Sequence, residues 1–480
     1  MAYRNLGEYL VDLERRGELR RVKVEVDPVL EMAEIAVRLV RRGGPAVLFE
    51  KPRGYRYPVA MNLFGTPERV KLALGGEPDE IGRRLASWLD LPHLEGWGDR
   101  LRVLPRLAEV ASYFPRLVGR APCQEVVEEN PSLDGLPVLQ CWPGDGGRFL
   151  TLPLVITRDP ASGRTNVGMY RMQVHDGRTL GLHWHIHKDG ARHAGRLRSG
   201  ERLQVAVALG GDPATIYAAT APLPPGLDEY LFAGFLRQAP VEVVKGVSVD
   251  LEVPAQAEFV LEGYVEVGEE RVEGPFGDHT GYYSPPEPYP VFHLTALTRR
   301  RDPLYPATVV GAPPMEDAWL GKATERIFLP ILRLLVPDLV DLDLPVEGVF
   351  HNLAIVSIRK RYPGHARQVM SALWGLGLLA LTKVIVVVDE DVDVHDYRQV
   401  TWVVGTCVDP GRDVSVVWGP VDALDHAAPY PGYGTKMGID ATRKWPGEGQ
   451  VRAWPERAEM SAEIRDLVDR RWKEYGFDDR

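Results

Sequence analysis

From about Phe149 to Leu297 the chain carries short β-branched runs cut by Gly and Pro. On either side of that stretch apolar residues alternate between helix and strand spacing. One ordinary core does not span textures so different, and 480 residues predict two or three domains. In the middle stretch the clearest runs are Leu154 to Thr157, Arg202 to Val207 and Ala257 to Gly263, which predict a mainly antiparallel sheet or a barrel. A helical pattern from Asp228 to Gln238 interrupts them as an insertion.

The first hundred residues read as a small α/β unit. Leu6, Tyr9, Leu10 and Leu13 make an amphipathic stripe, Leu19 to Val26 alternates like a strand, Val29 to Val40 has helix period, and Ala46 to Phe49 is strand-like. A Pro- and Gly-rich passage from Pro115 to Gly147 marks a domain junction. Past the central stretch, Leu353 to Ile358 and Val384 to Val388 flank the helix-like Ala366 to Leu378, which is a buried parallel βαβ unit. The acidic run 389–396 lacks the Gly and terminal Glu of a calcium loop and reads as a solvated strand end. Ala458 to Tyr475 reads as a charged amphipathic helix suited to docking on a neighbour.

Composition narrows the function classes. A net charge of -10 argues against a nucleic-acid binder. Cys123, Cys141 and Cys407 are too sparse and too far apart for a disulfide framework or a metal knuckle. No apolar run has the length of a membrane span, and the first residues lack a signal-peptide pattern. The expectation is a soluble cytoplasmic protein.

The chemistry concentrates in Glu273-Gly274-Pro275-Phe276-Gly277-Asp278-His279-Thr280-Gly281-Tyr282. Two acids and an imidazole sit there in a turn that Gly and Pro keep from continuing as helix. Paired acids on a stiff loop suit proton transfer, because repulsion and burial drive their pKa values apart. Arg171, in Asn166-Val167-Gly168-Met169-Tyr170-Arg171, has the fork that grips a carboxylate or phosphate. Strict strand alternation would put Asn166 and Arg171 on opposite faces, so a joint site needs a break in register near Gly168.

In His183-Trp184-His185-Ile186-His187 a strand would align three imidazoles, which suits zinc and a hydrolytic water; exposed strand histidines are the other reading. Glu229 opens the helical insertion, where an acid also serves the helix dipole. Asn, His and Glu oxygens and nitrogens together make a mixed site for magnesium or manganese. Gly432 to Gly438, with Lys436 among glycines, reads by itself as a turn.

Taken together these strings resemble the UbiD-type decarboxylases: NVGMYR at 166–171, WHIHKDG at 184–190, DEYLFAG at 228–234, EGPFGDHTGYY at 273–283 and YGTKMGIDATRKWPGE at 433–448, with similar passages at 146–160 and 309–327. The resemblance runs in order along nearly the whole chain. It implies an α+β and α/β multidomain fold: an N-terminal α/β domain (1–115), a central split β-barrel holding flavin and metal (116–310), a C-terminal α/β domain (311–455) and a terminal helix (456–480).

The activity implied is reversible, non-oxidative decarboxylation of an aromatic or conjugated acid, a hydroxybenzoate- or hydroxynaphthoate-type quinone precursor being favoured. The cofactor implied is prenylated FMN, supplied by a flavin prenyltransferase. Asn166, His187 and Glu229 take the places of ligands to Mn2+ or Mg2+ at the cofactor phosphate, with K+ nearby. Arg171, Glu273 and Asp278 take those of the catalytic network, and Lys436 that of a cofactor-anchoring lysine. Asp278 stands where some members have Glu, and His185 where Gln is more frequent. A homo-oligomer, dimer or hexamer, is implied as well.

Losing CO2 from such an acid leaves a poorly stabilised carbanion, so an electron sink and a positioned proton donor are both required. Asp278 is the donor in this reading, and His183 has a structural or surface role. An FMN-dependent oxidoreductase on a split barrel, a histidine-ligated metal hydrolase and a non-catalytic flavin or metal carrier are the rival readings.

Overall fold

The computed structural model describes residues 3–89, 105–106, 108–184, 189–224 and 227–477. Its N-terminal layer opens with the helix Leu6–Arg15, started by Asn5, whose side chain accepts from the Glu8 amide at 2.9 Å. Leu6, Tyr9, Leu10 and Leu13 are its buried stripe. Leu19–Val26 and Ala46–Pro52 pair in parallel around the helix Glu31–Arg41, and Val59–Met61 adds an antiparallel strand. The fourth strand of this sheet is Tyr305–Pro306, which arrives from the far end of the central region and runs parallel to Val59–Met61. Leu6, Tyr9 and Phe64 accordingly share one core with Ile156, Ala206 and Phe235.

The central region is a nine-stranded sheet whose spine is the antiparallel pair Phe259–Glu273 and Glu287–Arg299. From that spine Arg202–Leu209, Pro153–Arg158 and Thr165–Met169 follow on one side, and Thr179–Leu182, Met172–Val174 and Phe149–Leu150 on the other. Among the described residues no pairing joins the two ends of this path, so the sheet is not closed. The spine slips register between Glu262 and Gly263, where a Cβ on Gly263 would lie 1.9 Å from the His293 carbonyl oxygen.

The C-terminal layer is a five-stranded sheet in the order Leu339–Asp343, Leu353–Ile358, Val384–Asp389, Tyr433–Asp440, Val414–Pro420. Its parallel Leu353–Ile358 and Val384–Asp389 pair is bridged by the helix His365–Trp374, as the continuous apolar runs predict. The segment read as a turn at 432–438 is corrected here, since Tyr433–Asp440 is an inner strand of this sheet. Its glycines serve packing: a Cβ on Gly438 would lie 2.5 Å from Met370 Sδ and 3.1 Å from the Trp374 ring. The helix Ala462–Arg471 forms at the expected place and buries none of its residues. None of the described helices is long and apolar enough to cross a membrane.

Candidate active site

Glu273 is the last residue of its long strand, and Asp278 begins the tight connection between the two-residue strands Phe276–Gly277 and Tyr283–Ser284. The two acids therefore sit on a strand end and a β-ribbon rather than together on one free loop. Arg171 falls between Thr165–Met169 and Met172–Val174, outside both strands. The break in register that a joint site requires is thus a strand end, not a bulge at Gly168. Gly168 instead leaves room for the Tyr170 ring, whose hydroxyl oxygen would lie 2.3 Å from a Cβ there.

Arg171 lies between the two acids. Its Nε donates to Glu273 Oε1 at 2.9 Å, and its Nη2 donates to Glu273 Oε2 at 3.2 Å and to Ser284 Oγ at 3.0 Å. Its Nη1 pairs with Asp278, and the guanidinium carbon rides 4.5 Å from the Phe276 ring centre. Glu273 is fully buried and Asp278 nearly so. Burial pushes the Asp278 carboxyl up, but the hydrogen bond and charge of His279, joined by the charge of Arg171, outweigh it and hold the group well below the usual range. Burial likewise opposes ionisation of Glu273, and the bonds from His183 and Arg171 win.

The ribbon is clamped from behind. Asp145 accepts from the Gly277 amide through Oδ1 at 2.8 Å and from the Trp142 amide through Oδ2 at 2.8 Å. Gln173 accepts from the Gly274 amide at 2.7 Å, and the Gly146 amide donates to the Pro275 carbonyl at 2.7 Å. A Cβ on Gly277 would lie 2.2 Å from Trp142 Cδ1, so the indole and the ribbon pack only with glycine there.

Two histidines extend the network. His279 Nδ1 stands 2.9 Å from Asp278 Oδ1. His183 is buried with its Nδ1 3.0 Å from Glu273 Oε2, and its ring lies 4.2 Å from that of Tyr289. Of the expected structural or surface role of His183, burial leaves the structural one. The strand Thr179–Leu182 ends one residue before His183, which frees its side chain from strand alternation. A signal was available in Gly181, where a Cβ would lie 3.4 Å from Glu273 Cβ: the glycine marks an approach to the acid two residues ahead of the histidine. Residues 185–188 lie outside the described residues, so the places of His185 and His187, and the alignment of three imidazoles, are not given by the structure.

Asn166 and Glu229 do come together. Glu229 heads the helix Glu229–Arg237, Asp228 caps it by accepting from the Tyr230 amide at 2.7 Å, and Glu229 Oε2 accepts from the Val167 amide at 3.0 Å. Burial pushes the Glu229 carboxyl up to about 7, and its described partners include no Lys or Arg. Asn166 Nδ2 is buried without a hydrogen-bond partner among the described residues. A buried acid lacking a cation fits a divalent ion, and the Asn166 N–H2, whose neighbour is the Tyr170 hydroxyl, suits an anionic group rather than the ion itself. Lys436 is elsewhere: its ammonium is buried in the C-terminal sheet against the Ala380 carbonyl, 6.0 Å from the Trp374 ring centre, and burial lowers it to about 8.

A cavity of about 1100 Å³ adjoins the cluster, lined by Trp184, Tyr289, Asp317 and His351 among others. Its far wall is apolar, formed by Phe328, Ile331, Leu332, Leu342 and Leu344. The central sheet, the cleft beneath the C-terminal α/β layer and the buried acid–arginine–acid chain make up the candidate site. Three family models of 3-octaprenyl-4-hydroxybenzoate carboxy-lyase match: the N-terminal domain over residues 10–89, the Rift-related domain over 116–313 and the C-terminal domain over 318–441. The chain belongs to this family.

A relative from Archaeoglobus fulgidus, an uncharacterized protein, is 58% identical over 478 residues and covers 99% of each chain. Vanillic acid decarboxylase from Sedimentibacter hydroxybenzoicus, in closed form, superposes with a TM-score of 0.86 at 30% identity over 100% of both chains. An evolved dimeric form of the UbiD-class enzyme HmfF from Pelotomaculum thermopropionicum, in complex with prFMN, gives 0.79 at 32% identity over 98% of this chain and 100% of that one.

Proposed function

We propose that this carboxy-lyase decarboxylates an aromatic or conjugated acid, with Glu273, Arg171 and Asp278 handling the proton. The buried Arg171, bonded to an acid on each side, carries the reading. Prenylated FMN, when bound, supplies the electron sink for the carbanion that CO2 loss leaves. Asn166 and Glu229, joined by His187, would hold Mn2+ or Mg2+ against the cofactor phosphate, with K+ nearby; Lys436, bonded to the Ala380 carbonyl in the C-terminal sheet, is left out of this set.

In the decarboxylation direction the C–CO2 bond breaks and its electron pair stays on the ring or vinyl carbon. Asp278 rests as a carboxylate held by His279 and Arg171, so it acts only after taking up a proton; it passes that proton to the carbon and returns to the carboxylate they stabilise. Water returns the proton to Asp278 before the next turnover. Glu273 keeps Arg171 aimed at Asp278 through its two-point bond.

The size and apolar far wall of the cavity support a substrate larger than a bare phenolic acid, a hydroxybenzoate or hydroxynaphthoate carrying an apolar substituent. A flavin prenyltransferase would supply the cofactor, and a homo-oligomer with the exposed Ala462–Arg471 helix at a subunit contact is part of the same reading. The test loads the protein with prenylated FMN and Mn2+ and offers aromatic acids with and without apolar chains. CO2 release, or deuterium entering the former carboxyl carbon, is expected. Failure of both across the panel and its decarboxylated products would end the decarboxylase reading.

A further inference from the structure

His279, His351 and Asp422 come from three separate segments and meet at one point on the cavity side. His279 follows the proton-handling Asp278 in the β-ribbon, His351 follows the 3-10 turn Val346–Gly348, and Asp422 follows the edge strand Val414–Pro420. One nitrogen from each ring and one Asp422 oxygen all lie within 4.8 Å of one another. The two imidazole centres are 5.1 Å apart, and His351 Nε2 is 3.3 Å from Asp422 Oδ2.

The hydrogen bonding is unfinished. His279 turns Nδ1 to Asp278, which leaves Nε2 to point away from that carboxylate. Nε2 of His279 and Nε2 of His351 are both shut off from solvent, and neither has a well-aligned hydrogen bond among the described residues. Buried nitrogens are seldom left so, and an ion pair between His351 and Asp422 would still leave His279 bare. A histidine whose far nitrogen is bound to a carboxylate is how metal-ligating imidazoles are oriented.

We infer that His279, His351 and Asp422 form a divalent transition-metal site separate from the one at Asn166 and Glu229. Two imidazoles and one carboxylate are a donor set for zinc, or for manganese or iron(II), with coordination positions left over. Because His351 and Asp422 line the cavity, those open positions face it, and the ligand class they take is an anionic oxygen such as a phenolate. The site also bridges the central region and the C-terminal layer, so an ion there would hold the cavity's two sides together.

Metal-stripped full-length protein is titrated with Zn2+, with the bound metal counted by mass spectrometry and affinity read by calorimetry. In the Glu229→Ala background, where the first site is broken, one zinc per chain is expected. Adding His351→Ala or Asp422→Asn should remove it or weaken it more than the ~10–100-fold that loss of an outer partner alone costs. Co2+ should fill two sites in the unmutated chain, one at Asn166, His187 and Glu229 and one here, a count that does not depend on any variant folding. No zinc in the Glu229→Ala protein, or zinc retained after His351→Ala and Asp422→Asn, would overturn the inference. Should Glu229→Ala bind as much metal as the unmutated chain while His351→Ala loses one equivalent, this site stands and the flavin-metal assignment of Glu229 falls.

Discussion

His183 Nδ1 lies 3.0 Å from Glu273 Oε2, inside a pocket where the glutamate has no exposed surface at all. Burial lowers the imidazole's pKa, so the ring is neutral and donates through Nδ1–H to the carboxylate. The glutamate oxygen that Arg171 Nη2 reaches is the same one that His183 holds. The histidine thus fixes the twist of the carboxylate on which the arginine's aim depends.

His183→Leu should lower kcat about ten- to hundredfold, the range that loss of a charge-assisted hydrogen bond worth about 1.5–3 kcal/mol implies. KM should change less, and His183→Asn, which keeps a donor, should recover part of the rate. A His183→Leu enzyme at wild-type kcat would assign the contact to packing alone.

Asp278→Asn should keep flavin and metal and lose ~10²–10⁴-fold in turnover, because an amide cannot deliver the proton. Glu273→Gln should be impaired through Arg171 instead, which loses one of its two anionic partners. Solvent-deuterium exchange on cofactor-loaded protein separates them from a folding defect. Exchange at the wild-type rate in Asp278→Asn would remove that residue from the donor role.

Glu229→Ala should release flavin and divalent metal together. The substitution also leaves the Val167 amide without its acceptor beside Asn166, so both halves of the site loosen. Metal content and flavin absorbance of the same purified sample decide the matter. Full flavin in a metal-free variant would contradict the bridge.

His395 offers a pH test of the C-terminal layer. Its bonds to Asp341 and Asp343 raise it from 6.5 to about 9. A base raised on folding contributes stability that is complete below its unfolded pKa and is lost as pH rises through its folded one. His395→Gln should therefore lower Tm most at about pH 6, with the difference shrinking through pH 9 and vanishing above it. Thermal melts across that range check the sign; a gap that widens with pH would mean the imidazole is not protonated in the fold.

Much of the architecture was legible because it is written in local periodicity. The helix stripe of Leu6, Tyr9, Leu10 and Leu13 and the parallel pair Leu353–Ile358 and Val384–Asp389 follow from spacing alone, since a helix or strand buries one face or both whatever its neighbours are. The residue types that would do chemistry, Arg171, Glu273 and Asp278, also stood out as charges set among glycines.

Tertiary contact decided the rest. Gly438 has no side chain to declare whether it turns or packs, and pairing with Val384–Asp389 on one side and Val414–Pro420 on the other made Tyr433–Asp440 a strand. His183 became Glu273's partner because Thr179–Leu182 stops one residue short of it, a point set by the pairing of Thr179–Leu182 with Met172–Val174 and Glu287–Arg299. Tyr305–Pro306 joined the N-terminal sheet across more than two hundred residues of intervening chain. Local spacing reports which faces a segment must bury; which distant segment meets that face depends on how the whole chain closes, and in this protein that closure set the partners of the buried charges.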